Sequence, residues 1–201
     1  VTMSSTTKAP VGRPRRYDEE SVLEALTALF WRQGYTQTSM ADIVETSGVH
    51  KPSLYRTFGS KEELFTKVLH RYLDQRMSMF TDLIEGVGEG AGAVHRFLEA
   101  FEADSLSERG RDGCLMVMAS NELRGRLPGY DFATDYRGRM REVLGLLVAR
   151  ATPDADAALA ATRTDLLTTC LLGLHVILRS GAGADEVHRY LAALHATVDT
   201  W

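Results

Sequence analysis

An all-α protein of about nine helices is what the sequence predicts, with a small three-helix unit near the N-terminus joined by one long helix to a larger helical region. Three observations carry this. Apolar residues recur three and four apart along most of the chain, as one face of a helix requires. Glycine, proline and capping residues divide these runs at lengths that suit helices. No stretch keeps the two-residue alternation of a half-buried strand.

Composition sets the outer limits. With 201 residues, 44% hydrophobic and 25% charged, the chain has material for a sizeable core and the balance of an ordinary soluble protein. No apolar run approaches the ~18 residues of a membrane span, and the first residues lack the apolar stretch of a secretory signal, so a cytoplasmic location is expected. Cys114 and Cys170 are too few for a disulfide framework and lie in apolar runs, which fits a reducing compartment. The net charge of -4 hides an asymmetry. Residues 1–61 carry eight basic and six acidic groups, whereas residues 62–201 carry fifteen and twenty-one. A basic head on an acidic body is compatible with a nucleic-acid partner despite a pI of about 5.9.

Residues 1–16 are rich in Ser, Thr, Pro and basic residues and read as a flexible basic arm. Its Arg13, Arg15 and Arg16 could follow phosphates or enter a minor groove; for any single arginine a solubilising tail is an equal reading. Asp18 caps the first helix, with Val22, Leu26, Leu29 and Phe30 inward and Gly34 closing it. The second starts at Thr38 or Ser39, where Ser39 and Asp42 form a variant capping box, and buries Met40, Ile43 and Val44. Gly48 then permits positive φ, so the next helix can leave steeply after few residues, as a helix-turn-helix requires. The third helix runs from about Lys51 to Phe58, with Pro52 in its first turn and Leu54 and Phe58 inward. Two turns are marginal alone, so it must dock by that edge, leaving His50, Lys51, Ser53 and Arg56 outward and free to enter a groove.

Ser60 and Glu63 form a capping box for a fourth helix, through Leu64, Phe65, Val68, Tyr72, Leu73, Phe80 and Leu83, that reads as a connecting rod. The four glycines of residues 85–92 end it. Further helices are expected over 93–107, 114–123 and 131–149, then from Asp154 as N-cap to Leu178, and over 185–198.

Taken together, Phe30 to Phe65 (FWRQGYTQTSMADIVETSGVHKPSLYRTFGSKEELF) resembles the TetR family of bacterial transcriptional regulators. The combination is specific: Gly34-Tyr35 before Thr38, a turn at Gly48-Val49, Ser53-Leu54-Tyr55 ahead of Phe58, and the Gly59-Ser60-Lys61-Glu62 restart. Ser47 stands where the family often has Ala, and His50 where Ser or Thr is usual. The resemblance implies a DNA-binding domain at 17–62 with the third helix in the major groove, and a dimerisation and effector-binding domain at 63–201. It implies that Lys51, Ser53, Tyr55, Arg56 and Thr57 belong to the recognition helix, with His50 at its cap. Tyr55, Lys61 and Thr38 would meet the phosphate backbone. A helix N-terminus and arginine or lysine side chains suit those tasks chemically.

The implied partners are a palindromic operator, a second copy of the chain and a small apolar or aromatic effector, most naturally with repression relieved by the effector. Phe80, Phe97, Phe101, Met118, Tyr136, Met140 and His175 are the candidate pocket lining, and each also reads as plain core. Asn121, a polar amide inside an apolar run, needs a partner. Cys114, in a Gly-Cys-Leu segment found in some members, is either packed core or an electrophile- or oxidant-sensing thiol made reactive by Arg109, Arg111 or a helix N-terminus. Leu171, Leu174, Leu178, Leu191 and Leu194 would pack a four-helix dimer interface. His188 and His195 share a face without completing a metal set. No nucleophile motif, phosphate loop, dinucleotide fingerprint or metal signature points to an enzyme or a cofactor. The competing class is an architectural, nucleoid-associated DNA binder with no effector.

Overall fold

The computed structural model describes residues 17–123 and 131–201, apart from the side chain of Asn121. Arg13, Arg15, Arg16 and the Asn121 amide therefore lie outside the described residues. Among the described residues the chain forms nine α-helices and no strand: α1 Glu19–Gln37, α2 Met40–Ser47, α3 Lys51–Phe58, α4 Lys61–Gly86, α5 Ala91–Ser105, α6 Leu115–Leu123, α7 Phe132–Ala151, α8 Ala157–Arg179 and α9 Ala184–Val198, with one 3₁₀ turn at Gly110–Asp112.

The starts of the first four helices follow from local chemistry. Asp18 accepts the Ser21 N–H at 3.0 Å ahead of α1. Both capping boxes close: Ser39 with Asp42, and Ser60 with Glu63, each hydroxyl taking the N3 amide while the N3 carboxylate takes the cap amide at 2.7 Å. These bonds to the ionised form hold the Asp42 and Glu63 carboxyls below their ordinary range. Gly48 takes the left-handed conformation, φ 64°, that turns α2 into α3.

α1 does not stop at Gly34 as expected. It breaks there, at φ 78°, and resumes for one more turn to Gln37. The restart of α8 is capped by Asp156, whose side chain accepts the Leu159 N–H at 2.8 Å, not by Asp154.

In the head, Leu26, Phe30, Ile43, Leu54, Phe58 and Phe65 are buried together, with Phe30 and Phe65 ring centroids 4.7 Å apart. Burying each such side chain contributes roughly 1.5–3 kcal/mol, which is what keeps an eight-residue helix like α3 folded. α4 buries Leu64, Val68, Tyr72, Leu73, Met77, Phe80 and Ile84 along one stripe and so belongs to head and body alike. In the body, α5, α7 and α8 enclose Val94, Phe97, Phe101, Tyr136, Met140, Leu144, Leu167 and Leu171.

The five leucines expected at a dimer interface require correction. Leu171, Leu174, Leu178, Leu191 and Leu194 are all buried inside the single chain. Together with Thr164, Leu167, Thr168 and His175 they form the inward stripe of α8 and, on α9, its counterpart beside Val187 and Val198. The large apolar residues left outward on these helices are Leu159, Leu166, Val176 and Tyr190.

Candidate nucleic-acid interface

α3 presents one face outward. His50, Lys51, Pro52, Tyr55 and Arg56 are exposed, Tyr55 to 44%, while Leu54 and Phe58 fasten the opposite edge. The Lys51 ammonium lies 5.9 Å from the Tyr55 ring centroid, and Arg56 Nη2 donates to Ser53 Oγ at 3.5 Å. His50 makes no side-chain capping bond. Ser53 and Thr57 are half-buried on the flank toward Tyr17, whose hydroxyl lies 2.6 Å from Thr57 Oγ1 and 3.5 Å from the Ser53 carbonyl. The exposed cations thus converge on the two turns of a short helix, a donor-rich surface suited to phosphates and base edges.

Two sequence assignments change. Thr38 is 1% exposed and gives its hydroxyl to the Gly34 carbonyl at 2.6 Å, so its side chain closes the α1 turn and cannot touch a phosphate. Lys61 is half-buried; its ammonium donates to the Tyr35 carbonyl at 2.6 Å and sits 4.2 Å from that ring's centroid. Burial lowers its pKa against the pull of Glu122 and Asp42. Lys67, which the sequence did not single out, is exposed beside α3: it donates to the Thr57 carbonyl at 3.4 Å and lies 5.5 Å from the Phe58 ring. It lines a recess of about 340 Å³ with Thr57, Phe58, Gly59, Glu63 and Thr66.

The end of α1 is clasped by the body. Glu122 of α6 accepts the Thr36 N–H at 2.8 Å. Trp31 Nε1 donates to the Gly113 carbonyl at 3.1 Å and its ring meets Tyr72 edge-on at 5.0 Å. Arg179 of α8 reaches the Trp31 and Arg32 carbonyls at 3.4 Å. Arg71 of α4 pairs with Glu20 at 2.6 Å. Helix α4 is therefore one of several ties between head and body.

The expected effector residues come together in the body. Phe80, Phe97 and Phe101 form a ring cluster with centroids 5.9–6.4 Å apart, and His175 joins it 5.4 Å from Phe101. Met140 is buried and Met118 is half-buried. Cys114 is closed off from solvent between two hydroxyls: its thiol donates to Tyr136 at 3.3 Å and accepts from Tyr72 at 3.6 Å. Burial, then the adjacent Cys114, raises both tyrosine pKa values, so both stay protonated. The cation acting on this group is Arg76 of α4, whereas Arg111 turns to the Leu106 carbonyl at 3.2 Å. Sequence reading missed Tyr72 as a polar member, and Arg76, Asp104 and Ser105 altogether. The signal was available: Arg76 falls in the inward register between Leu73 and Phe80, and Ser105 one turn after Phe101.

The model of the bacterial regulatory proteins of the tetR family matches residues 22–68, the span of α1 to early α4. Over most of its length the chain is similar to the HTH-type transcriptional repressor BdcR of Escherichia coli K12, 30% identical over 180 residues, 88% of this chain and 86% of that one. A shorter likeness, 47% identical over 64 residues, joins it to the HTH-type transcriptional repressor ComR of the same organism, covering 32% of this chain and 30% of that protein. Among solved structures, the regulator CifR, a cysteine mutant complexed with 26-base-pair double-strand operator DNA, superposes with a TM-score of 0.76 at 28% identity, covering 94% of this chain and all of that one.

Proposed function

The chain belongs to the TetR family and is a helix-turn-helix transcriptional regulator, and from that premise we propose that it is a homodimeric repressor which a small, mainly apolar effector releases from a palindromic operator. The recognition surface is the outward face of α3, with Lys51, Arg56 and His50 placed for base edges and phosphates and Tyr55, Ser53 and Lys67 beside them. Residues 17–62 form the reading head, residues 63–201 the sensing and dimerising body, and residues 1–16 a basic arm.

The observation that supports this most directly is the exposure of Lys51, Tyr55 and Arg56 on a helix whose other edge is fastened by Leu54 and Phe58. A helix this short, with its cations unburied, is built to enter a groove without unfolding. The BdcR and ComR relatives are repressors, and CifR binds a double-strand operator, which supports the same use of this face.

Selection of bound duplexes from a random pool by the purified chain tests the reading. The expected product is an inverted repeat with half-site centres about one turn apart, ~34–36 Å, protected symmetrically in a footprint. Equal retention of all sequences would point instead to an architectural DNA binder and overturn the proposal.

A further inference from the structure

Five helices of the body bring buried polar atoms to one place and leave several without partners. Arg76 of α4 gives Nη1 to Asp104 of α5 at 2.8 Å, but its Nε finds no acceptor among the described residues. Ser105 Oγ, next along α5, is likewise unpartnered, as are both ring nitrogens of His175 on α8. His175 is 3% exposed and Ser105 2%. The Tyr72–Cys114–Tyr136 chain of hydrogen bonds borders the group from α4, the start of α6 and α7. Buried polar groups in native proteins almost always have partners, and these four unmatched atoms, on residues linked through the Arg76–Asp104 pair and the Phe101–His175 ring contact, mark a place where a partner enters.

The chemistry of that partner follows from what is missing. Arg76 Nε–H, the Ser105 hydroxyl and one His175 N–H are donors, whereas the second His175 nitrogen is the sole obligate acceptor. Arg76 and Asp104 cancel in charge. Burial, reinforced by the Arg76 charge, drops the His175 pKa to about 3, so the imidazole is neutral at physiological pH. A site with no net charge and a surplus of donors disfavours a buried anion and favours a neutral acceptor. The rings of Phe80, Phe97 and Phe101 stand beside it.

We propose that this cluster is the effector's polar anchor and takes a small uncharged carbonyl compound, a ketone or aldehyde, whose oxygen accepts from His175, Ser105 and Arg76 while its apolar body lies on the three phenylalanines. This rests on the reading of the chain as an effector-released regulator and gives that effector a chemical class. Entry must part helices that also carry the head. Arg76 stands fifteen residues along α4 from Lys61, about 22 Å at helical rise. Gly113, the neighbour of Cys114, is the residue that Trp31 of α1 grips.

The test is direct binding to the full chain, by calorimetry and by protein-observed NMR, of acetophenone, its carbonyl-free isostere α-methylstyrene, and benzoate. Acetophenone is expected to bind saturably and about tenfold more tightly than α-methylstyrene, the worth of one or two net hydrogen bonds, with benzoate weaker than both. In His175→Phe, which keeps ring bulk, and separately in Ser105→Ala, the preference for acetophenone over α-methylstyrene should shrink while the isostere binds as before. Equal affinity for the two isosteres, stronger binding of benzoate, or no saturable acetophenone binding at millimolar concentration overturns the proposal. Operator binding is measured on the same samples without any probe. Sequence-specific DNA binding with no acetophenone binding removes the ligand assignment alone. Carbonyl-selective binding with no sequence-specific DNA upholds the anchor and removes the regulatory reading.

Discussion

Arg56 and Lys61 carry the same charge on neighbouring helices, but their surroundings give them different tasks. Arg56 is exposed and its hydrogen bond among the described residues is to Ser53, so its guanidinium is available to a guanine edge. Arg56→Ala is expected to weaken operator binding by ~1–3 kcal/mol and to relax sequence preference, read from competition between operator and scrambled duplexes. Lys61 already serves the Tyr35 carbonyl. Lys61→Ala should therefore lower the unfolding free energy by about 1 kcal/mol and leave the salt dependence of DNA binding unchanged; a salt slope reduced by about one unit would return Lys61 to the phosphate backbone. His175 gives a residue-scale signature in pH. Its folded pKa of about 3 lies below the ordinary 6.5, so as pH falls through that interval the unfolded chain takes up a proton that the folded chain refuses. Stability due to this residue is complete above 6.5 and declines by up to about 1.4 kcal/mol per pH unit toward 3. On acidification below 6.5 the urea midpoint of the parent should accordingly fall relative to that of His175→Phe, and parallel curves would show that the imidazole is not buried neutral.

At the scale of elements, the joint between α1 and α6 depends on one backbone irregularity. Gly34 has φ 78°, and a Cβ there would collide with the Glu122 carboxylate that receives the Thr36 amide. Gly34→Ala combines left-handed strain with loss of this contact and should cost ~1–3 kcal/mol, whereas Gly48→Ala, at φ 64° in open space, meets the strain alone. Chemical denaturation of the two variants separates these contributions; equal losses would mean that the Glu122 clasp contributes nothing. The same comparison explains which boundaries the sequence could reveal. The α2 and α4 starts were legible because each capping box spans only three residues, Ser39 to Asp42 and Ser60 to Glu63. The α6 clasp was not, because Thr36 and Glu122 are 86 positions apart and neither residue type announces its partner. Asp154 and Asp156 show the intermediate case, two adequate caps in one loop, between which only the packing of α8 could choose.

For the whole molecule, periodicity identified α8 and α9 as strongly apolar but could not say which stripe faces inward. Thr164, Leu167, Leu171, Leu174 and Leu178 point into the chain's own core. Leu159 and Leu166, seven apart, mark the opposite stripe of α8, and Val176 lies on the same exposed side at 54% accessibility. Thr162, Asp165 and Thr169 are exposed between them, and Gly173 is half-buried. A surface of small and branched residues on a long helix suits close antiparallel packing against its own copy, with Tyr190 of α9 at the margin, and two heads on such a body could span a palindrome. Leu166→Glu places a charge in the middle of that stripe without disturbing the core. It is expected to give a monomer by sedimentation at unchanged helical content. Operator affinity should fall far more than affinity for an isolated half-site, because the second head loses its effective concentration. Leu171→Ala, only five residues further on but facing inward, should instead cost about 2–5 kcal/mol of stability and leave the assembly intact. If Leu166→Glu remains a dimer while Leu171→Ala dissociates, the two stripes have been assigned the wrong way round and the chain must rearrange α8 when it assembles.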